Sequence, residues 1–294
     1  MNIGLVGTGR MGTAMGERIL AAGHRLTAHN RTPERAKSLL DAGASWAATP
    51  AEVTAGSDIV VTVLTDDAAV DSVYEGLLAD GAAGTLFVES STVRTATVTR
   101  LDARVRAAGA RLVDAPLAGP PPAARAGQLM VFAGGAEEDL DHARPVLESF
   151  ARRIVHLGPV GSGSTMKLVL MAPMAIYFAG LAEGLAIGSQ FGLDRAAMLD
   201  VILDSHGAPP VLRDRAELLL GAERPAGFEV SGVRKDLQAI VATAQDVGVA
   251  ASVAGTALGH YAAASASGFG DRDLVHIVDY VAWVARRSTR GIAD

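Results

Sequence analysis

The chain has 294 residues, 49% hydrophobic and 20% charged, which suits two folded domains and excludes wholesale disorder. A net charge of −6 is a poor match for a nucleic-acid backbone, and the absence of cysteine excludes disulfides, thiolate catalysis, iron–sulfur clusters and cysteine-ligated zinc.

Met1-Asn2-Ile3-Gly4-Leu5-Val6 runs straight into a glycine loop, with no basic or cleavable apolar leader. The most apolar stretch, 168–182, has about 15 uncharged residues against the roughly 18–20 that a bilayer requires. A cytoplasmic protein that binds neither membrane nor nucleic acid is therefore expected. Short apolar runs at 3–6, 25–29, 59–64, 85–89, 111–114, 128–133 and 153–156 read as strands. Between them, segments such as 11–22 and 95–108 carry apolar residues at helical spacing. The alternation predicts an α/β fold with a doubly wound, mostly parallel sheet covered on both faces. Only helical patterns follow, at 165–191, 195–203, 212–221, 230–247, 252–266 and 274–286. The break at Gly158-Pro159-Val160-Gly161-Ser162-Gly163 predicts two domains, 1–162 and an all-helical 163–294. Apolar residues cover several faces of 165–187, more than separate helices readily hide, which predicts a homodimer through the helical domain.

Gly7-Thr8-Gly9-Arg10-Met11-Gly12 is a G-x-G-x-x-G between a strand and a helix, the setting that marks a Rossmann dinucleotide site. Gly7 permits the turn, Gly9 admits a pyrophosphate to the backbone, and Gly12 lets the helix pack closely. The second strand ends in Asn30-Arg31-Thr32, where an NAD site would place a carboxylate for the ribose 2′-hydroxyl. Arg31 can pair with a 2′-phosphate, and Asn30 and Thr32 can donate to it, so NADPH is favoured over NADH. Thr32 also stands where it could cap a helix beginning at Pro33. The seven histidines are scattered and no H-E-x-x-H occurs, so no metal site is expected.

Four blocks in this order resemble the β-hydroxyacid dehydrogenase family, the group that includes 3-hydroxyisobutyrate and tartronate semialdehyde dehydrogenases. They are the glycine loop at 7–12; Asp114-Ala115-Pro116-Leu117-Ala118-Gly119 with Ala123-Ala124-Arg125-Ala126-Gly127; Gly161-Ser162-Gly163-Ser164-Thr165-Met166-Lys167; and Lys235-Asp236-Leu237. The resemblance implies that Lys167 is the catalytic lysine and that Val63, Leu64 and Thr65 lie along the cofactor. It places Ser91 and Thr92 by the nicotinamide and substrate, gives Lys235 a part in holding both, and implies pairing through the long helix. The residues themselves allow plainer roles. Lys167, partly desolvated at the start of an apolar helix, suits proton transfer to an alkoxide but could equally be a helix-end cation reaching for solvent. Ser91 and Thr92 could cap the helix before Thr95, and Lys235 could pair with Asp236 or Asp246.

The chain also departs from the family pattern. Ala118 stands for the usual serine, Pro120-Pro121-Pro122 after Gly119 for a Gly-x-Gly, and Met171 for an asparagine one turn beyond Lys167. Three prolines remove three N–H donors, so the pocket should grip a small carboxylate poorly and favour apolar groups. Pro173 should kink the long helix. The expected function is an NADPH-dependent oxidoreductase acting on a carbonyl or alcohol more apolar than the family's small hydroxy acids. The alternatives are an imine reductase, whose family typically lacks lysine at the position of Lys167, and an inactive NADPH-binding regulator.

Overall fold

The computed structural model describes residues 1–290. Its first half forms a six-stranded sheet from β1 (Asn2–Val6), β2 (Arg25–His29), β3 (Ser45–Trp46), β4 (Ile59–Thr62), β5 (Leu86–Glu89) and β6 (Arg111–Asp114). The order is β3-β2-β1-β4-β5-β6 and every pairing is parallel. The central strands are buried on both faces. Ile3, Leu5, Ile59, Val61, Leu86 and Val88 pack with Met15, Ile19 and Leu39 on one side. Val60 and Phe87 pack with Val53, Val70, Tyr74, Leu77, Val98 and Leu101 on the other. Each fully buried side chain of this size contributes about 1.5–3 kcal/mol.

The later strands form a separate sheet, β7 (Leu117–Ala118), β8 (Leu129–Ala133) and β9 (Ala151–His156), in which β7–β8 is antiparallel and β8–β9 parallel. The apolar pattern shows neither β3 nor β7, because two residues carry no periodicity. One antiparallel bridge, Asp114 to Gly134, joins the end of β6 to the loop after β8.

The chain divides into two compact units, Met1–Val169 and Leu170–Asp294, and the division falls inside the helix Ser162–Gln190. That helix continues through Pro173 and is long and apolar enough to cross a membrane by length and composition alone. In the second unit, however, its Ala175, Phe178, Ala182 and Leu185 join a core with Leu199, Leu212, Val233, Leu237 and Tyr261. The segment read as one helix at 212–221 is two short ones, Pro210–Arg213 and Ala216–Leu219. Likewise a 3₁₀ turn, Leu274–His276, precedes the helix Ile277–Arg290. One carboxylate touches both features. Asp273, 3% exposed, caps the 3₁₀ turn and accepts from Arg215 Nε at 3.2 Å and Gly227 N at 2.9 Å.

Asp279 holds Arg195 Nη1 at 2.7 Å and His276 Nδ1 at 2.7 Å. Burial raises its pKa, but hydrogen bonds from His276 and Arg195 outweigh burial and bring it from 3.8 to about 2. A depressed carboxylate stabilises the fold above its unfolded pKa, and that contribution fades as pH falls through the folded value. Asp279→Asn is expected to cost about 1 kcal/mol at pH 7, after allowance for its partial exposure. In urea titrations, the difference from wild type should shrink as pH falls below 3.8 toward about 2.

Candidate functional site

In a parallel sheet, every strand delivers its carboxyl end to the same edge, and ligands sit where the strand order reverses. Here that point lies between β1 and β4. Along the edge, from β2 to β6, come Asn30-Arg31-Thr32, the loop 7–12, Val63-Leu64-Thr65, Ser91-Thr92 and the segment 115–118.

The glycine loop is held by its neighbours. Gly7 has φ +99°, and its N–H donates to His29 O at 3.0 Å. A Cβ on Gly7 would strike the carbonyl oxygen of Val63, and one on Gly12 would strike the carbonyl oxygen of Gly7. Gly9 differs. Its φ of −70° suits any residue, and a Cβ there would meet nothing within 4 Å. The fold therefore needs glycine at 7 and 12, whereas at 9 glycine only leaves the approach to the helix N-terminus clear. Beside it, the Thr8 hydroxyl is buried and has no hydrogen-bond partner among the described residues. An open backbone cradle and an unpaired buried hydroxyl at a helix N-terminus fit a dinucleotide pyrophosphate.

Asn30 ties the two loops to each other. Its Oδ1 accepts from Thr8 N at 3.0 Å and its Nδ2 donates to Thr32 O at 2.9 Å, so it braces the two loops. Arg31 and Thr32 are exposed, and the Thr32 hydroxyl makes no capping hydrogen bond. Arg10 is exposed and Met11 packs against the sheet core.

The loops after β4 and β5 are tied together. Leu64 N donates to Ser91 Oγ at 2.8 Å, so Ser91 is not a helix cap, and Ser91 N donates to Glu89 Oε1 at 2.6 Å. Thr62 Oγ1 donates to Glu89 Oε2 at 2.6 Å and lies 3.0 Å from the Tyr74 hydroxyl. Burial pushes the Glu89 carboxyl up, while its hydroxyl and N–H donors pull it back. Val63 and Leu64 are half-buried; Thr65 is exposed and Thr92 half-buried.

At the end of β6, Asp114 is wholly buried. Its Oδ1 accepts from Gly161 N at 2.8 Å and its Oδ2 from Ser164 N at 2.7 Å. Lys167, one turn further along the helix, donates from Nζ to Leu117 O at 2.7 Å. Burial raises the Asp114 pKa, and the N–H donors of Ser164 and Gly161 oppose it. Ala118 pairs with Met130 across β7 and β8, and Gly119, with φ +130°, turns the chain into the short helix Pro121–Arg125. Pro120 occupies its N-cap position and Pro121 and Pro122 open its first turn, so that turn presents no N–H from these three residues.

Met171 and Lys235 belong to the second unit. Met171 is buried, and Lys235 Nζ lies 2.8 Å from Asp236 Oδ1. Motif matching assigned no role to Glu89 or Asp114. The signal lay in a carboxylate closing an otherwise apolar buried strand, where it must be paired.

The family model described as the NAD binding domain of 6-phosphogluconate dehydrogenase matches residues 2–158. The model described as NAD-binding of NADP-dependent 3-hydroxyisobutyrate dehydrogenase matches residues 161–281. The 3-hydroxyisobutyrate dehydrogenase of Pseudomonas aeruginosa is 34% identical over 84% of this chain and 86% of its own length. The structure of Mycobacterium tuberculosis 3-hydroxyisobutyrate dehydrogenase with L-serine superposes with a TM-score of 0.85 at 27% identity, covering 95% of this chain and 98% of that one. A reductive aminase from Aspergillus terreus, in complex with NADPH and ethyl levulinate, gives a TM-score of 0.63 at 26% identity, covering 95% and 98%. The glycine cradle, the strand order and matches to both halves of the chain lead to one conclusion: the chain belongs to the β-hydroxyacid dehydrogenase family and is a nicotinamide-dependent oxidoreductase acting on a CH–OH or C=O group.

Proposed function

We propose that the enzyme prefers NADP(H) and uses Lys167 as acid and base on a carbonyl or alcohol substrate less polar than a small hydroxy acid. The observation that carries this reading is the sequence of groups along one sheet edge, from Arg31 at β2 to Lys167 beside β6. The pyrophosphate fits the backbone at Thr8, Gly9 and Arg10, and a 2′-phosphate fits Arg31 and Thr32, with Asn30 bracing both loops. Val63, Leu64 and Thr65 flank the cofactor, and Ser91 and Thr92 flank its nicotinamide. When bound, the nicotinamide supplies or accepts the hydride. The chain's own task is the proton: the Lys167 ammonium donates to the oxygen of the incipient alkoxide, and its neutral amine takes the proton back in the oxidative direction. Leu117 O, at 2.7 Å, holds that ammonium in place.

The substrate assignment rests on Ala118 and on the prolines at 120, 121 and 122, which leave no side-chain hydroxyl and no N–H where a carboxylate would be gripped. Met171 and Lys235, both in the helical unit, are proposed as substrate-binding residues. Imine reduction is the second reading, favoured by the likeness to the reductive aminase and by the same loss of polar groups.

We also infer a homodimer through the helical unit. Between the helices Ser162–Gln190 and Arg195–Asp204 lies an apolar groove of about 840 Å³, lined by Ile176, Leu181, Leu185, Leu193, Met198 and Val201. Phe191 nearby in sequence is 84% exposed and Val201 is 70% exposed, an apolar surface that suits burial against a second copy.

For the cofactor, Gly9→Ala should fold with stability within about 1 kcal/mol of wild type yet lose nicotinamide affinity by about tenfold or more in titration. Arg31→Ala should lose about 10–100-fold more catalytic efficiency with NADPH than with NADH, the worth of a charge-assisted hydrogen bond. Equal use of NADH by the wild type would remove the NADP(H) assignment. For the chemistry, Lys167→Ala should lower kcat by about 10²–10⁴-fold with cofactor affinity retained. A wild-type panel of aldehydes, keto acids, 3-hydroxy acids and cyclic imines then assigns the substrate class, and ordinary turnover of 3-hydroxyisobutyrate or glycerate would refute the apolar reading. For the assembly, light scattering at micromolar concentration should give a dimer or a multiple of it that Phe191→Glu weakens; a monomeric wild type would contradict it.

A further inference from the structure

We propose that Asp114 is a positioning residue for proton transfer, holding the first turn of the lysine-bearing helix so that Lys167 keeps its place. The proposal rests on the reading of Lys167 as the proton donor and adds a second, buried group to that reading.

The segment from Asp114 to Leu117 grips the helix start at both of its ends. At one end, the Asp114 carboxylate accepts from Gly161 N at 2.8 Å and from Ser164 N at 2.7 Å. At the other, Leu117 O accepts from Lys167 Nζ at 2.7 Å. Ser164 and Lys167 are three residues apart and so share a helix face. One rigid segment therefore sets both the position of the helix backbone and the position of the ammonium.

The surroundings are shaped around this carboxylate. Asp114 is wholly buried, and its backbone is pinned by reciprocal hydrogen bonds with Gly134, 2.9 Å from Asp114 N to Gly134 O and 2.8 Å back. A Cβ on Gly134 would strike the Asp114 carboxylate itself, and one on Gly163 would strike the carbonyl oxygen of Phe132 and lie 2.9 Å from Asp114 O. Both positions admit only glycine, because the helix start is pressed against the end of β6. Gly161, with φ +97°, makes the turn that aims its N–H at the carboxylate. A further tie, Thr165 Oγ1 to Thr95 Oγ1 at 3.0 Å, fixes the outer side of the same turn.

An acidic side chain at this place has a specific physical use. The first N–H groups of a helix have no intrahelical partner, and a carboxylate satisfies two of them and matches the positive end of the helix dipole. Asparagine is nearly the same size but offers only one acceptor; its amide N–H₂ would face the other N–H. The first turn must then shift, and small displacements of a reacting group cost much of its rate.

The test is a double-mutant cycle with Asp114→Asn and Lys167→Ala. Asp114→Asn should lower kcat by about 10²-fold while the dissociation constant of the nicotinamide cofactor changes by less than about threefold, since the cradle at 7–12 follows β1, away from β6 in the sheet order. In the Lys167→Ala background, Asp114→Asn should cost no further activity in single-turnover assays. Methylammonium that restores turnover to Lys167→Ala should restore the double variant equally, because a free amine does not depend on the helix turn. If Asp114→Asn fails to fold by circular dichroism, Asp114→Glu carries the same cycle with the charge kept and the reach changed. Undiminished kcat in the single variant, cofactor affinity lost in parallel with kcat, or an additive loss on top of Lys167→Ala would each overturn the role of Asp114. Full activity in Lys167→Ala alone would instead overturn the acid–base reading, and with it this proposal.

Discussion

Six strands that all run the same way leave their loops on one edge, and the rest of the molecule's chemistry depends on that constraint. Because β1 to β3 and β4 to β6 fan out in opposite directions, the loops after β1 and β4 diverge and leave a crevice between them. At the base of the crevice the two loop backbones lie close together. Gly7 lies against Val63 O and Gly12 against Gly7 O, and neither contact admits a side chain. Sheet order and two glycines together create the open approach at Gly9.

The edge is rigid because buried carboxylates hold its loops. Burying a carboxylate in an apolar sheet is costly unless donors surround it. Glu89 meets that cost with Thr62 and Ser91, and Asp114 with Gly161 and Ser164. In each case the donors come from the loop or from the element end beside it. The same hydrogen bonds that make the burial tolerable also place Ser91 against Leu64, and the start of the lysine helix against β6. Polar groups at the carboxyl ends of otherwise apolar strands thus connect the packing of the core to the geometry of the site.

The helical unit uses the same currency of apolar surface differently. Its core takes one side of the long helix, through Ala175, Phe178, Ala182 and Leu185, while Ile187, Phe191, Leu193 and Val201 remain exposed. A helix apolar on every side has more surface than its own unit can cover. Arg195, His276 and Asp279 secure the packing from the polar side, across helices that the apolar contacts alone would let slide.

Fold class, the dinucleotide loop and the family were legible in the sequence because each rests on local patterns: strand–helix alternation, G-x-G-x-x-G between a strand and a helix, and short blocks in a fixed order. These features depend on residue type and spacing along the chain. The strands β3 and β7 were not legible, since two residues have no period, and neither was the separation of β7, β8 and β9 into their own sheet. The bracing role of Asn30 was not legible either, since its amide oxygen accepts from Thr8, 22 residues away in sequence. Glu89 and Asp114 stand in plain sight beside recognised motifs, yet Thr62, which donates to Glu89, lies 27 residues away and the donors to Asp114 lie 47–50 residues away. Spacing along the chain determines which groups are present and on which element. Only the tertiary structure decides which buried donors a carboxylate finds, because burial brings together residues that the covalent chain keeps far apart.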